Sequence, residues 1–201
     1  MFTGIIQSVG VITALEKKNS AVTCTINPLL RRKWKKGESV SINGICSTII
    51  SVTGHSFLVA YMPHTVHLTT VKRWKKGTRV NIEPSLKAGD EISGHFVTGH
   101  IDGVARIVAM KYEKEQTTLS IQVPRKLLRY SIPRGSITIN GVSLTIASVK
   151  NAKVTVKITP YTLSHTTLQY TERGASLNLE IDMLARYLLW KNSPSKKRKR
   201  A

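Results

Sequence analysis

Residues 39–49, SVSINGICSTI, alternate β-branched and small polar side chains, turn at Asn43-Gly44 and then resume alternating. A two-residue period sends successive side chains to opposite faces, so the stretch predicts two antiparallel strands. Asn-Gly supplies the positive φ angles of a tight hairpin turn. The chain writes this pattern again 97 positions later as SITINGVSLTI, residues 136–146. Cys46 and Thr48 follow the first turn, and Ser143 and Thr145 follow the second. The echo extends further. Residues 39–83 align without gaps on 136–180, and about 16 of these 45 positions are identical, among them Pro63/Pro160, Thr65/Thr162, Asn81/Asn178 and Glu83/Glu180. The opening FTGIIQSVGVI, residues 2–12, pairs with VTGHIDGVARI, residues 97–107, at an offset of 95. A period near 97 is too long for a solenoid unit and suits one small domain.

The remaining hydrophobic pattern predicts strands over residues 5–15, 21–26, 39–42, 46–52, 57–61 and 79–83. Turns fall at Lys17–Ser20 and Gly54-His55, a short helix or turn at 28–36, and an irregular connection at 63–70. Short strands at 8–12-residue spacing with Gly and Asn turns argue for a small antiparallel barrel. The expected fold is all-β, with two homologous six-stranded antiparallel Greek-key β-barrels over residues 1–86 and 87–182. The linker is expected near 84–90. DMLARYLLW, from Asp182 to Trp190, breaks the pattern: Asp182 is a good N-cap, and Leu184, Tyr187 and Leu188 share a helical face. An oligomerisation helix is expected over 183–192. It is too short to stand alone. A disordered basic tail is expected over 193–201.

Composition changes this picture in two places. With 31 Lys+Arg against 11 Asp+Glu, the net charge is +20, concentrated in RRKWKK (31–36), KRWKK (72–76) and KKRKR (196–200). Such clusters suit a polyanion, but a solvated basic surface explains them as well, and nucleic acid is not an expected partner. Trp34 and Trp74 within the clusters are expected to pack over a barrel end. No stretch of 18 apolar residues is present, and MFTGIIQSVG lacks the basic and apolar regions of a secretory signal, so a cytoplasmic protein with no membrane partner is expected. Cys24 and Cys46 are then reduced thiols, and without a Cys-x-x-Cys pair no metal is expected.

Few residues are equipped for chemistry. The 11 acids are scattered, and no nucleotide-binding glycine motif occurs. GHFVTGH, residues 94–100, carries His95 and His100. Five positions apart on a regular strand, they would point to opposite faces and not chelate one metal. A histidine suits acid–base chemistry better. The asymmetry between halves is informative: Cys46 stands opposite Ser143, and Ile5 opposite His100. Two similar pockets with different polar equipment suit a reaction that treats two similar molecules differently.

MFTGIIQ, SVSINGICST, GHFVTGHIDG, SITINGVSLT, PYTLSHTTL and LNLEID, in this order, resemble the trimeric α-type riboflavin synthases. The resemblance spans about residues 1–190. It implies dismutation of two molecules of 6,7-dimethyl-8-ribityllumazine to riboflavin and 5-amino-6-ribitylaminouracil, with no cofactor. It implies a homotrimer whose active site joins the first barrel of one subunit to the second barrel of its neighbour. The polar set implied for catalysis is Ser39, Cys46, Thr48, His95 and His100, with His100 first for proton transfer and Ser143 and Asp182 in support. For the first pocket it implies Gly4, Ile5, Ile6, Cys46, Ser47, Thr48, Ala60, Tyr61, Met62, Pro63, His64 and Thr65, joined by Gly99, His100 and Ile101. For the second it implies Arg134, Ser143, Leu144, Thr145, Lys157, Ile158, Thr159, Pro160, Tyr161 and Thr162. Phe2 is expected to pack over the pterin ring, with plain core as the alternative. Three positions depart from the family: Arg134 for lysine, Asn140 for aspartate and Ser47 for leucine, the last making a pocket wall more polar. Relatives of the same fold bind lumazine or flavin without turnover and tend to lose the polar pocket residues, which this chain keeps.

Overall fold

A computed structural model describes residues 1–191. The tail expected over 193–201 and the last position of the expected helix, residue 192, lie outside the described residues. The first half contains strands β1 (Ser8–Lys18), β2 (Ala21–Pro28), β3 (Ser39–Ile42), β4 (Ile45–Thr48), β5 (Ser51–Thr53), β6 (Ser56–Tyr61) and β7 (Arg79–Pro84). They form one antiparallel sheet in the order β4-β3-β7-β1-β2-β6-β5. The second half contains β8 (Gly103–Tyr112), β9 (Thr117–Gln122), β10 (Ser136–Ile139), β11 (Val142–Lys150), β12 (Lys153–Ile158) and β13 (Ser176–Ile181), which close into a barrel.

The seventh strand of the first half is a local break. β4 and β5 are the two edges of that sheet, yet only Ile49 and Ile50 separate them in the chain. The Ile50 N–H donates to the Leu58 carbonyl at 2.8 Å, so pairing to β6 begins inside the gap. In the second half the same stretch runs unbroken as β11, with a register shift between Ile146 and Ser148 at the equivalent place. A bulge and a break serve one purpose here, the sharp bend that a strand shared by both ends of a small barrel must make.

Alternation decides the core. In β6, Phe57, Val59 and Tyr61 are buried, and in β12, Val154, Val156 and Ile158 are buried. Trp34 and Trp74 join the first core; Trp34 lies 4.9 Å from Phe57 between ring centroids, and Trp74 meets the Tyr61 ring edge-on at 5.6 Å. The connection expected to be irregular at 63–70 is instead helical. It forms α1 (Pro63–Leu68) followed by a 3-10 turn over Thr70–Arg73, and its counterpart forms α2 (Pro160–Ser164) followed by a 3-10 turn over Thr167–Tyr170. Proline at the first helical position supplies a φ already set for the helix, and the Thr69 and Thr166 hydroxyls cap the 3-10 turns. Residues 28–36 hold no helix. At the chain's end α3 (Met183–Lys191) starts from Asp182, whose Oδ1 accepts the Leu184 N–H at 3.0 Å. No helix among the described residues is long and apolar enough to cross a membrane.

Two exchanges join the halves. At the hairpin turns Asn43 and Asn140 hold φ of 48° and 47°, and both are buried. Asn43 Oδ1 accepts the Asn81 N–H at 2.7 Å, while Asn140 Oδ1 accepts the Asn178 N–H at 2.8 Å. Asn81 and Asn178 then reach across. Asn81 Nδ2 donates to the Asn140 carbonyl and Asn178 Nδ2 to the Asn43 carbonyl, each at 2.8 Å. Their Oδ1 atoms accept N–H groups from the opposite halves, from Thr167 at 2.7 Å and from Thr70 at 2.8 Å. Asn140, one of the three departures from the family, is thus a member of the inter-barrel bonding.

Asn81→Leu should lower the free energy of unfolding by roughly 2–6 kcal/mol, because the Thr167 N–H and the Asn140 carbonyl stay buried without partners at about 1–3 kcal/mol each. Urea titration reads this directly. A loss below about 0.5 kcal/mol, the scale of an ordinary surface change, would refute it.

Candidate active site

The second exchange builds the site. Glu83, buried on β7, accepts the Thr3 N–H at 2.7 Å, the Thr3 hydroxyl at 2.8 Å and the Gly4 N–H at 3.2 Å. Glu180, buried on β13, accepts the Thr98 N–H at 2.7 Å, the Thr98 hydroxyl at 2.6 Å and the Gly99 N–H at 3.0 Å. Burial raises both carboxyls above the usual range, and these hydrogen bonds oppose the rise. Each glutamate holds an arm against its own barrel while the arm's carbonyl serves the other barrel. The Ser143 N–H donates to the Gly4 carbonyl at 2.8 Å, and the Cys46 N–H donates to the Gly99 carbonyl at 2.9 Å. Only glycine fits at these crossings. Gly4 and Gly99 have φ of 78° and 79°, and a Cβ there would meet Ser143 or Cys46 at 2.7 Å. Phe2 is fully buried and bridged to Val97, so it is core and does not lie over an open pocket.

Two equivalent cavities result. One, of about 320 Å³, is lined by Cys46, His64, Thr65, Gly99, His100 and Ile101, with Ile45, Leu68 and Thr69. The other, of about 140 Å³, is lined by Gly4, Ile5, Ile6, Ser143, Tyr161 and Thr162, with Val142, His165 and Thr166. Gly4, Ile5 and Ile6 were expected at the first pocket; the structure puts them at the second, because the Gly4 carbonyl bonds to Ser143. Leu68, Thr69, His165 and Thr166 went unnoticed in the sequence, although Thr69 and Thr166 are among its repeated identities.

Both cavities lie on the outward face of the barrels. Cys46 and Thr48 point out, and so do Ser143 and Thr145, whereas Ser47 and Leu144 point in. Ser47 therefore does not make a pocket wall polar. Its hydroxyl lies inside the first barrel, 2.9 Å from the Tyr61 hydroxyl, and donates to the Ile45 carbonyl at the same distance. Tyr61 is likewise interior, and burial pushes its phenol well above the ordinary value. The equivalent pair in the second barrel is Leu144 with Ile158, both buried. Ala60, Met62, Pro63, Lys157, Thr159 and Pro160 are half-buried or exposed and do not line either cavity. Thr159 caps α2 by accepting the Thr162 N–H at 3.2 Å. Tyr161 stacks on His165 with centroids 4.0 Å apart.

Their polar equipment differs. At the second cavity His95 Nδ1 is 2.7 Å from Ser143 Oγ, and its Nε2 is 3.0 Å from Thr138 Oγ1. One ring nitrogen donates and the other accepts, so a neutral imidazole joins the two hydroxyls in a chain. Burial lowers the His95 pKa, and the Asp182 carboxylate partly opposes this. Ser143 and Asp182 therefore serve His95. His100, grouped with them in the sequence reading, is exposed and lines the Cys46 cavity instead. There burial raises the Cys46 thiol, partly offset by the N-terminal ammonium and by a hydrogen bond from Ser39. Arg134 lies off the cavity linings, exposed, at a left-handed φ of 68°, where its counterpart is Gly37. Its N–H donates to the Ile146 carbonyl at 2.7 Å. Among the described residues no cluster of His, Cys, Asp and Glu is arranged to hold a metal.

A family model for the lumazine binding domain matches the chain twice, at residues 3–85 and 98–182. The fold and the paired cavities thus define a duplicated lumazine-binding-domain protein. Two solved structures have the same fold. LumP complexed with riboflavin has a TM-score of 0.82, at 25% identity over 90% of this chain and 99% of that one. LumP complexed with 6,7-dimethyl-8-(1'-D-ribityl) lumazine has a TM-score of 0.81 at 24% identity and the same coverage. The riboflavin synthase of Bacillus subtilis (strain 168) is 35% identical over 189 residues, 94% of this chain and 88% of the relative. That of Brucella abortus (strain 2308) is 33% identical over 193 residues, 93% of this chain and 96% of the relative. The chain belongs to the riboflavin synthase family.

A neutral, half-buried His95 has a consequence for pH. An imidazole that resists protonation in the fold takes up a proton more readily once unfolded, below the ordinary value of about 6.5. Stability should therefore decline as pH falls through that value. The melting temperature should drop between pH 7 and pH 5, and the slope should be shallower in His95→Gln. An identical slope in the variant would refute the assignment.

Proposed function

We propose that the two cavities are the two lumazine sites of this riboflavin synthase, carried by residues 1–86 and 87–182. The enzyme converts two molecules of 6,7-dimethyl-8-ribityllumazine to riboflavin and 5-amino-6-ribitylaminouracil. One lumazine gives up a four-carbon unit and the other accepts it. The steps required are loss of a proton from the acidic 7-methyl group of one molecule and addition of a nucleophile at C7 of the other. The observation that carries the reading is the pairing of geometrically equivalent cavities with unlike polar groups. The same ring can be held twice and treated in two ways, and holding both molecules in register is itself a large part of catalysis.

Ser143 faces the second cavity and His95 stands behind it, so the pair can move a proton between the ring substituent and the Thr138 side without creating a buried charge. At the first cavity the raised pKa of Cys46 keeps its sulfur a neutral thiol near pH 7, which suits packing and weak hydrogen bonding over thiolate attack. His100 offers an imidazole on the same wall. Backbone groups beside Thr48 and Thr145 are suited to the pyrimidinedione edge. The active unit is read as a homotrimer in the cytoplasm. Supporting this, α3 leaves Leu184, Tyr187, Leu188 and Trp190 58–79% exposed, an apolar surface that a second copy would cover.

Riboflavin should appear at half the molar amount of lumazine consumed, with no added cofactor. Ser143→Ala and His95→Gln should each lower kcat by about 10²-fold or more, the scale of lost acid–base assistance, and Cys46→Ser by less than about tenfold. Equal losses in all three variants would overturn the division of labour, and lumazine binding without product would overturn turnover itself.

A further inference from the structure

The two active cavities do not include the cleft that runs between the barrels on the side of the 3-10 turns. It has a volume of about 350 Å³. Asn43 and Asn140 of the two hairpin turns line it, with one half contributing Arg73, Trp74 and Arg79 and the other Tyr170, Thr171 and Ser176 at the equivalent positions. Both guanidiniums therefore stand on one wall, and the equivalent positions of the other wall carry the hydroxyls of Tyr170 and Ser176. No carboxylate lines the cleft, and among the described residues neither Arg73 nor Arg79 is in an ion pair. Arg79 is set in place by its guanidinium carbon, 4.4 Å from the centre of the Tyr170 ring.

A second observation is independent of charge. Thr70 and Thr167 are equivalent and both line the cleft. The Thr70 hydroxyl accepts the Trp74 indole N–H at 3.2 Å. Thr171 stands where the second half would need that tryptophan, and its hydroxyl donates to the Leu168 carbonyl at 2.7 Å instead. Thr167 is 5% exposed, and its hydroxyl has no hydrogen-bond partner among the described residues. A buried hydroxyl without a partner is uncommon in a folded protein.

We propose that this cleft binds the phosphate group of a small molecule. Unpaired guanidiniums match a phosphate's oxygens in forked geometry, the absence of carboxylates removes the repulsion, and hydroxyl donors complete an oxyanion shell. The floor is made of the turns that lead, three residues on, to Cys46 and Ser143, so an occupied cleft would brace the junction of the barrels. Nothing in the lumazine reading requires this site.

Inorganic phosphate and ribose 5-phosphate should be titrated separately, at constant ionic strength set with chloride, by calorimetry and by the shift in melting temperature. Saturable binding of one phosphate per chain is expected. Arg79→Gln and Thr167→Val should both weaken it, the former by about tenfold or more, whereas Lys35→Gln, an equal charge change remote from the cleft, should not. Similar affinity for both compounds would assign free phosphate, and a tenfold or greater preference for ribose 5-phosphate would assign a phosphorylated metabolite. No saturable binding, or equal binding by the wild type, Arg79→Gln, Thr167→Val and Lys35→Gln, would overturn the proposal, whatever the rate of riboflavin formation.

Discussion

Four buried asparagines fix this molecule. Asn43 and Asn140 sit at hairpin turns, Asn81 and Asn178 on the neighbouring strands, and every link between the halves at this point has an identical counterpart related by the duplication. Amide groups are directional, and buried ones must be satisfied, so the two turns have one way to stand back to back. Apolar packing alone would tolerate sliding or rotation of one barrel against the other. Cys46 and Ser143 lie three residues beyond these asparagines, on the strands that begin directly after the turns. The asparagines therefore position the candidate chemistry without touching it.

The exchanged arms complete that arrangement. Glu83 and Glu180 are the only buried charged residues among the described residues. Each is held by three hydrogen bonds from an arm that then lends its carbonyl to the opposite barrel. A buried carboxylate is expensive unless so satisfied, which makes the arm conformation strict. It also makes each cavity a joint product of both halves, so neither barrel alone would present a finished pocket.

Within this shared frame the halves have diverged in separable ways. Inside the barrels Ser47 with Tyr61 replaces the apolar pair Leu144 with Ile158, roughly conserving volume while adding one internal hydrogen bond. Outside them Cys46 and His100 face one cavity, and Ser143, backed by His95 and Thr138, faces the other. The inner change preserves packing; the outer one changes chemistry. The backbone tolerates both because side chains on alternate positions of one strand answer to different surroundings.

The strands, the Asn-Gly hairpins, the duplication and the helix begun by Asp182 were legible in the sequence, since each depends on local periodicity or on turn residues. The helical form of 63–70 was less so, because its apolar residues are few and proline and threonine capping decide it. The sequence also singled out Asn81/Asn178 and Glu83/Glu180 as polar identities inside strands, yet gave no sign of what they bond. Which arm serves which pocket, that Ser47 turns inward, that His95 rather than His100 meets Ser143, and that Phe2 is core were decided by tertiary structure alone. Period and turn chemistry act over a few residues, whereas these outcomes rest on hydrogen bonds between groups 14 to 139 positions apart. No local pattern encodes which distant partner will satisfy a buried donor.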